Sequence, residues 1–234
     1  MSSVFKFKRF EVDQSGCAMK INTDGVLLAL LASAEAPLRI LDIGTGTGVM
    51  ALILAQRYET ADVEAVEIDE MAAATAGRNF RQSEFAGRLK AHHGDVAEYI
   101  ASGGFDLIVS NPPYFVNDLR NPEEKKGIAR HAGAYFFEML IAKVASLLCA
   151  EGRFWVVLPV KQAQLLAEMG EAYGLTLVRQ IHLHSDVEKP EFRRIICLSR
   201  MEETLVDETF YIYESEKVYT PAYRSLLKDF FLAY

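Results

Sequence analysis

The stretch Arg39-Ile40-Leu41-Asp42-Ile43-Gly44-Thr45-Gly46-Thr47-Gly48-Val49 decides how the rest of the chain is read. Arg39 to Ile43 is a short apolar run of strand length, and Val49 to Tyr58 continues as a helical pattern. A buried strand that passes through a glycine-rich turn directly into a helix is the opening of a β-α-β unit. Glycines at 44, 46 and 48 let the chain turn sharply and let a bulky ligand approach the backbone. The helix N-terminus behind them adds partial positive charge.

Working outward, the same alternation repeats. Val63 to Glu67 reads as a second strand and the alanine-rich Met71 to Phe80 as its helix. Leu89 to His93, Phe105 to Ser110 and Arg153 to Leu158 read as further strands. Leu175 to His184 and Phe192 to Arg200, joined by the polar segment 185–191 with Pro190 inside it, read as a closing antiparallel hairpin. The expected fold is α/β and Rossmann-like: a mostly parallel seven-stranded sheet with that hairpin at its end and helices on both faces. One domain is expected, with residues 39–200 as the core and 1–38 as an N-terminal extension over the site. Residues 201–234 form a C-terminal extension. An irregular segment runs from Pro112 to about Gly133, where open α/β sheets place ligand-binding loops.

Composition narrows the class. With 234 residues, 50% of them hydrophobic and 24% charged, the chain can bury a sizeable core and is not disordered in character. No apolar stretch approaches the ~20 residues of a membrane span, and the start lacks a signal-peptide pattern. Cys17, Cys149 and Cys197 are too few and too far apart for a disulfide framework, which suits a reducing cytoplasm. The net charge of −7 argues against wholesale phosphate binding and leaves room only for a local basic patch.

The glycine spacing then becomes informative. The dinucleotide fingerprint G-x-G-x-x-G requires glycine at position 49, which is Val49 here. The G-x-G-x-G spacing, with Asp42 ahead of it, instead resembles the S-adenosylmethionine loop of class I methyltransferases. Glu67 ends the second strand 23 residues after Gly44, near the spacing at which an acid meets ribose hydroxyls in such folds. A carboxylate can accept from both vicinal hydroxyls. Asp95, with Val96 beside it after the third strand, stands where that family contacts the adenine amino group.

Asn111-Pro112-Pro113-Tyr114-Phe115 follows the fourth strand. An exocyclic adenine amine is a poor nucleophile because its lone pair is delocalised into the ring. An asparagine side-chain oxygen and the Pro112 carbonyl, accepting its two N–H bonds, let the nitrogen pyramidalise toward a methyl donor. Pro112 and Pro113 stiffen the backbone that carries that carbonyl. Tyr114 offers a flat face for an unstacked base. The motif also suits guanine N2 or a glutamine amide, so by itself it names a nitrogen acceptor rather than one substrate.

Across nearly its whole length the chain resembles the bacterial tRNA1(Val) adenine-N6 methyltransferase family. The likeness rests on 5–10 (Phe-Lys-Phe-Lys-Arg-Phe), 17–28 (Cys-Ala-Met-Lys-Ile-Asn-Thr-Asp-Gly-Val-Leu-Leu), the glycine loop, 111–115 and Ala129-Arg130-His131. It implies S-adenosylmethionine as cofactor, held by Lys20, Thr23, Asp24, Asp42, Gly44, Gly46, Gly48, Glu67, Asp95, Val96 and Asn111. It further implies Asn111, Pro112 and Tyr114 as catalytic residues, no metal, and a monomer acting on the adenine 3′ of a tRNA anticodon. Thr23 or Asp24 equally suits the cap of an ordinary helix.

Lys6, Lys8 and Arg9, and Phe115, Lys125, Lys126, Arg130 and His131, are candidates for the RNA backbone and bases; a charge run is also what a solvated face looks like. Phe5, Phe7 and Phe10 suit packing better than base stacking, Trp155 suits the core, and residues 230–234 suit docking on the sheet. His92-His93 and His182-x-His184 lack the cysteine partners of a zinc site. The competing enzyme readings are release-factor glutamine N5 and ribosomal guanine N2 methylation. An RNA-binding scaffold that keeps the fold is the non-enzymatic one.

Overall fold

The computed structural model describes residues 4–113 and 125–233, with the backbone alone for 125–134. In chain order the first elements are β1 (Val4–Lys6), β2 (Glu11–Asp13), α1 (Thr23–Leu31), β3 (Arg39–Ile43), α2 (Val49–Arg57), β4 (Asp62–Glu67), α3 (Glu70–Gln82), β5 (Leu89–His93) and β6 (Phe105–Ser110). There follow α4 (Lys125–Leu147), β7 (Leu148–Leu158), α5 (Val160–Glu171), β8 (Thr176–His184), β9 (Glu191–Ser199), β10 (Val206–Tyr211), β11 (Tyr213–Ser215), β12 (Val218–Tyr219) and α6 (Pro221–Leu227).

The main sheet has eight strands in the order β10-β8-β9-β7-β6-β3-β4-β5, one more than the seven expected. The additional strand is β10, which pairs parallel with β8. Its first four residues are exposed, so no apolar run marks it in the sequence. β9 runs antiparallel to both β7 and β8, as the expected hairpin requires, and the other strands are parallel. Helix α4 begins at Lys125, inside the segment expected to be irregular up to Gly133. Gly127 and Gly133 each disfavour a helix by about 1 kcal/mol, but the lysines, alanines and arginine around them favour one.

The central strands read as apolar runs because both of their faces are covered. Ile40, Leu107, Val109, Trp155 and Val157 point to one side, where they meet α1 and α2. Leu41, Ile43, Ile108, Phe154 and Val156 point to the other, against α4 and α5. Gly48 caps α2 at φ 84°, and a β-carbon there would lie 2.5 Å from the Phe80 ring of α3. Only glycine tolerates both the left-handed backbone and that approach.

The N-terminal segment is strapped to this body at two places. Buried Asn79 of α3 donates to the carbonyls of Asp13 (2.9 Å) and Thr47 (2.8 Å) and accepts from the Asp13 N–H (3.0 Å). The Thr75 hydroxyl donates to the Ser15 carbonyl at 3.0 Å. Further back, Phe7 bridges Phe231, the Lys8 N–H donates to the Phe230 carbonyl (2.7 Å), and Phe7 stacks on Phe10 with ring centres 4.4 Å apart. The C-terminal aromatics therefore dock on the N-terminal hairpin rather than on the sheet, while Gln56 of α2 donates to the Asp229 carbonyl. Trp155 is a core residue whose indole N–H donates to the Ser33 carbonyl at 2.9 Å. Among the described residues no helix is long and apolar enough to cross a membrane.

Candidate functional site

The chain leaves β3 outward through β4 to β5, then returns to β6 on the other side of β3. At such a reversal the loops leaving two neighbouring strands diverge and open a crevice beyond their C-terminal ends. A cavity of about 310 Å³ occupies it. Its walls are the glycine loop after β3, Glu67 to Asp69 after β4, Gly94 to Val96 after β5, and Ser110 to Pro113 after β6. Cys17, Ala18 and Met19 close it from the N-terminal side, and Phe136 and Met139 of α4 from another. A smaller recess of about 40 Å³ adjoins it, between residues 19–22 and the glycine loop.

Glu67 is held at the centre of this frame. Its Oε2 accepts the Gly46 N–H at 2.8 Å and its Oε1 the Asp69 N–H at 3.0 Å. The Gly44 N–H donates to the Val66 carbonyl, and the Gly94 N–H to that of Glu67, so three loops meet at the end of β4. Asp95 Oδ1 accepts the Ala97 N–H at 2.9 Å, which fixes the turn after β5. The Ser110 hydroxyl donates to the Ile43 carbonyl at 3.0 Å, tying the end of β6 to that of β3.

Of the residues expected at the site, Gly44, Gly46, Glu67, Asp95, Val96, Asn111 and Pro112 line the large cavity. Lys20 lines the recess and is the only charged side chain among the described residues around it. Gly48 lies behind, packed on Phe80. Thr23 and Asp24 line neither space: Thr23 opens α1, and Asp24 Oδ2 accepts from Arg193 Nε of β9 at 2.8 Å. The cap of α1 is Asn22, one residue before the two candidates, because Asn22 is the last extended residue and its side chain reaches the Gly25 N–H.

Asp42 is fully buried under the loop. Its Oδ2 accepts the Thr45 hydroxyl at 2.6 Å, and burial pushes its carboxyl up to about 7 against the opposing pull of Thr45 and the Ala51 N–H. It acts on the loop from below, not on the cavity.

Two of the basic residues of the N-terminal hairpin are matched by acids and the third by a carbonyl. Lys6 pairs with Glu11 at 2.8 Å, and Arg9 with Glu84 at 2.8 Å; Lys8 Nζ donates to the Lys228 carbonyl. Tyr114, Phe115 and the side chains of Lys125, Lys126, Arg130 and His131 lie outside the described residues. His92 Nε2 donates to Glu64 Oε2 at 2.9 Å, and His182 lies between Glu191 and Asp207. Among the described residues no three His, Cys, Asp or Glu side chains are grouped to hold a metal.

Several lining residues escaped the sequence reading. Met19 and Ile68 are large, apolar and more than half exposed beside the cavity, an arrangement that suits a flat apolar group between them. Ile68 directly follows the strand-ending acid, which is the only sequence signal it had. Asn22 carried one as well, being a capping residue type ahead of Thr23-Asp24-Gly25.

The walls fit S-adenosylmethionine. A β-carbon added at Gly44, Gly46 or Gly94 would meet no protein atom within 4 Å, so the main chain there is open to a ligand's approach. Carboxylates at Glu67 and Asp95 face a cavity whose remaining lining is largely apolar, as a diol- and amine-bearing nucleoside requires.

Comparison with known proteins agrees. Residues 22–178 match the family described as methyltransferase small domain. A tRNA1(Val) (adenine(37)-N6)-methyltransferase of Pedobacter heparinus is 54% identical, with all of both chains covered. The protein of that name from Dyadobacter fermentans is 40% identical over 98% of each chain. Among solved structures, a predicted O-methyltransferase from Agrobacterium tumefaciens superimposes with TM-score 0.70 at 18% identity, over 88% of this chain and 96% of that one. A methyltransferase from Pyrococcus furiosus does so with TM-score 0.55 at 21% identity, over 80% and 91%; both likenesses concern the fold. The carboxylates, the open glycine loop and full-length relatives of one name lead to one result: this chain is an S-adenosylmethionine-dependent methyltransferase and belongs to the tRNA1(Val) (adenine(37)-N6)-methyltransferase family.

Proposed function

We propose that the chain methylates the N6 of adenine 37 in tRNA1(Val), in the bacterial cytoplasm and as a monomer. The observation that carries this reading is the full-length match to relatives bearing that name, at 54% identity in the first of them. The site is in keeping with it. Bound S-adenosylmethionine supplies a methyl group already activated on a sulfonium, so the protein needs neither a metal nor a covalent intermediate.

The chain's own residues have the remaining work of binding and aiming. Glu67, braced by Gly46 and Asp69, would accept from the ribose hydroxyls of S-adenosylmethionine. Asp95, on the cavity wall, would accept from its adenine amino group, and Lys20, on the recess, would pair with its carboxylate. Asn111 and the Pro112 carbonyl accept the N–H bonds of the target amine, which localises its lone pair for in-line attack. Met19, Ile68, Val96, Phe136 and Met139 give the cavity apolar walls. A single-stranded anticodon-loop base reaches such a pocket at small unpairing cost.

The test is methyl transfer from labelled S-adenosylmethionine to the total RNA and protein of a strain lacking the gene, followed by separation of the two and nucleoside analysis of the tRNA and ribosomal RNA. N6-methyladenosine at position 37 is the expected product. N2-methylguanosine, or label confined to protein, replaces this reading by ribosomal guanine or release-factor glutamine methylation, and no label at all by an RNA-binding scaffold.

A further inference from the structure

Asn22 Oδ1 makes two hydrogen bonds at once. It accepts the Gly25 N–H at 2.8 Å, which caps α1, and it accepts from Nδ2 of Asn111 at 3.3 Å. The first bond dictates the sense of the second. A carboxamide has one acceptor end and one donor end, and the helix cap demands the acceptor. Asn22 cannot flip without giving up its cap, so Asn111 must turn its Nδ2 toward α1. The amide being planar, its oxygen is then the end turned away from α1.

Gly25 brings the start of α1 into close contact with this pair. A β-carbon at Gly25 would lie 3.3 Å from Nδ2 of Asn111, 3.5 Å from Asn22 Oδ1 and 3.6 Å from the Met50 side chain. The start of α1 is also a firm reference point. Asp24 ties it to Arg193 on β9 at 2.8 Å, and Leu27 and Leu28 are fully buried in the core behind it. In this light Thr23-Asp24-Gly25 supports a polar relay: Asp24 anchors the helix, Gly25 permits close approach, and Asn22 reads the orientation out to the loop after β6.

We propose that Asn22 is a positioning residue for methyl transfer, orienting the Asn111 carboxamide through the cap of α1 so that its oxygen, not its nitrogen, meets the N–H of the target amine. The proposal rests on the reading of Asn111 as that amine's acceptor. A flipped Asn111 opposes donor to donor, and misplacement of this kind lowers kcat without altering how tightly either substrate binds.

The test compares Asn22→Ser and Asn22→Asp in the full chain, with tRNA1(Val) transcript and S-adenosylmethionine. Serine retains a good helix cap, but its hydroxyl is one bond shorter and falls short of Asn111; aspartate keeps an acceptor for both partners. Asn22→Ser is expected to lower kcat roughly 10- to 100-fold, with Tm and KM for tRNA held, while Asn22→Asp keeps kcat within a few-fold of wild type when it is read at saturating S-adenosylmethionine, its added charge in the shared recess acting on cofactor affinity and not on kcat. Should serine lower Tm, Asn22→Thr caps the helix with the same short reach and is read by the same criterion. In an Asn111→Ala background, Asn22→Ser should cost nothing further. Wild-type turnover in Asn22→Ser, or equal losses in the serine and aspartate variants, overturns the role of Asn22 alone. Undiminished turnover in Asn111→Ala removes the reading of Asn111 itself, and the proposal with it.

Discussion

Glu67 accepts the main-chain N–H of Gly46 at 2.8 Å, so the carboxylate that ends β4 also closes the glycine loop that follows β3. One side chain thereby shapes the loop and offers its remaining acceptor capacity to the cavity. Glu67→Ala should weaken S-adenosylmethionine binding by about 1–3 kcal/mol, the scale of leaving buried hydroxyls poorly paired. Titration calorimetry measures this directly, with NAD as a control that should not bind. An affinity within twofold of wild type would remove Glu67 from the cofactor site.

Asn111→Ala should leave cofactor affinity nearly intact and lower turnover about 10²- to 10³-fold, as for loss of one transition-state hydrogen bond. Single-turnover kinetics with saturating S-adenosylmethionine separates this from a binding defect. Turnover within a few-fold of wild type is the result that denies Asn111 its role.

Asp42 gives stability a pH dependence. Its carboxyl, raised by burial from the usual 3.8 to about 7, holds a proton in the folded chain that the unfolded chain releases. Stability from this residue is therefore present at low pH and is lost as pH rises from about 4 to about 7. Asp42→Asn removes the charge and the slope. Its Tm relative to wild type should increase between pH 5 and pH 8; a constant difference over that range contradicts the assignment.

The two basic clusters should behave differently toward RNA. Lys6 and Arg9 are already matched by Glu11 and Glu84, so Lys6→Glu should leave KM for tRNA within a few-fold of wild type. Lys125→Glu with Lys126→Glu should raise it while S-adenosylmethionine affinity holds, and the salt dependence of tRNA binding should flatten. Equal effects from both clusters would return the hairpin to the RNA-binding surface.

The parts of this fold legible in the sequence are those where burial writes a pattern. β3 and β6 are covered on both faces and read as apolar runs with nearly correct ends, and β4 beside them alternates buried with half-buried residues; the acid at the end of β4 and the asparagine after β6 could be placed from them. β10 could not, since its exposed residues leave no run and it is recruited by pairing with β8 and by the polar contacts of Asp207 and Glu208 with Arg179, Gln180 and His182. Asn79 shows the other limit: its bonds to Asp13 and Thr47 span chain separations that no local pattern encodes. Asp42 was legible as a member of the loop motif but not as a buried group, because its depth depends on α2 and the loop folding over it. Asn22 lost its cap to its neighbours in the reading, as all three residue types suit one position and only the backbone angle chooses.

The bridge between Phe7 and Phe231 has a consequence for the order in which the enzyme becomes competent. Synthesis delivers the hairpin more than two hundred residues before its docking partner, so the nascent chain carries β1 and β2 without the aromatic seat they rest on. Residues 17–19, which wall the cavity, hang between that hairpin and α1. Phe230→Ser with Phe231→Ser should accordingly weaken S-adenosylmethionine binding measured by calorimetry, although neither residue lines the cavity. Unaltered affinity would show that Thr75 and Asn79 suffice to hold the wall. On the ribosome, a wall that depends on Phe231 is seated only after that residue has emerged, well after the glycine loop it closes over has been made.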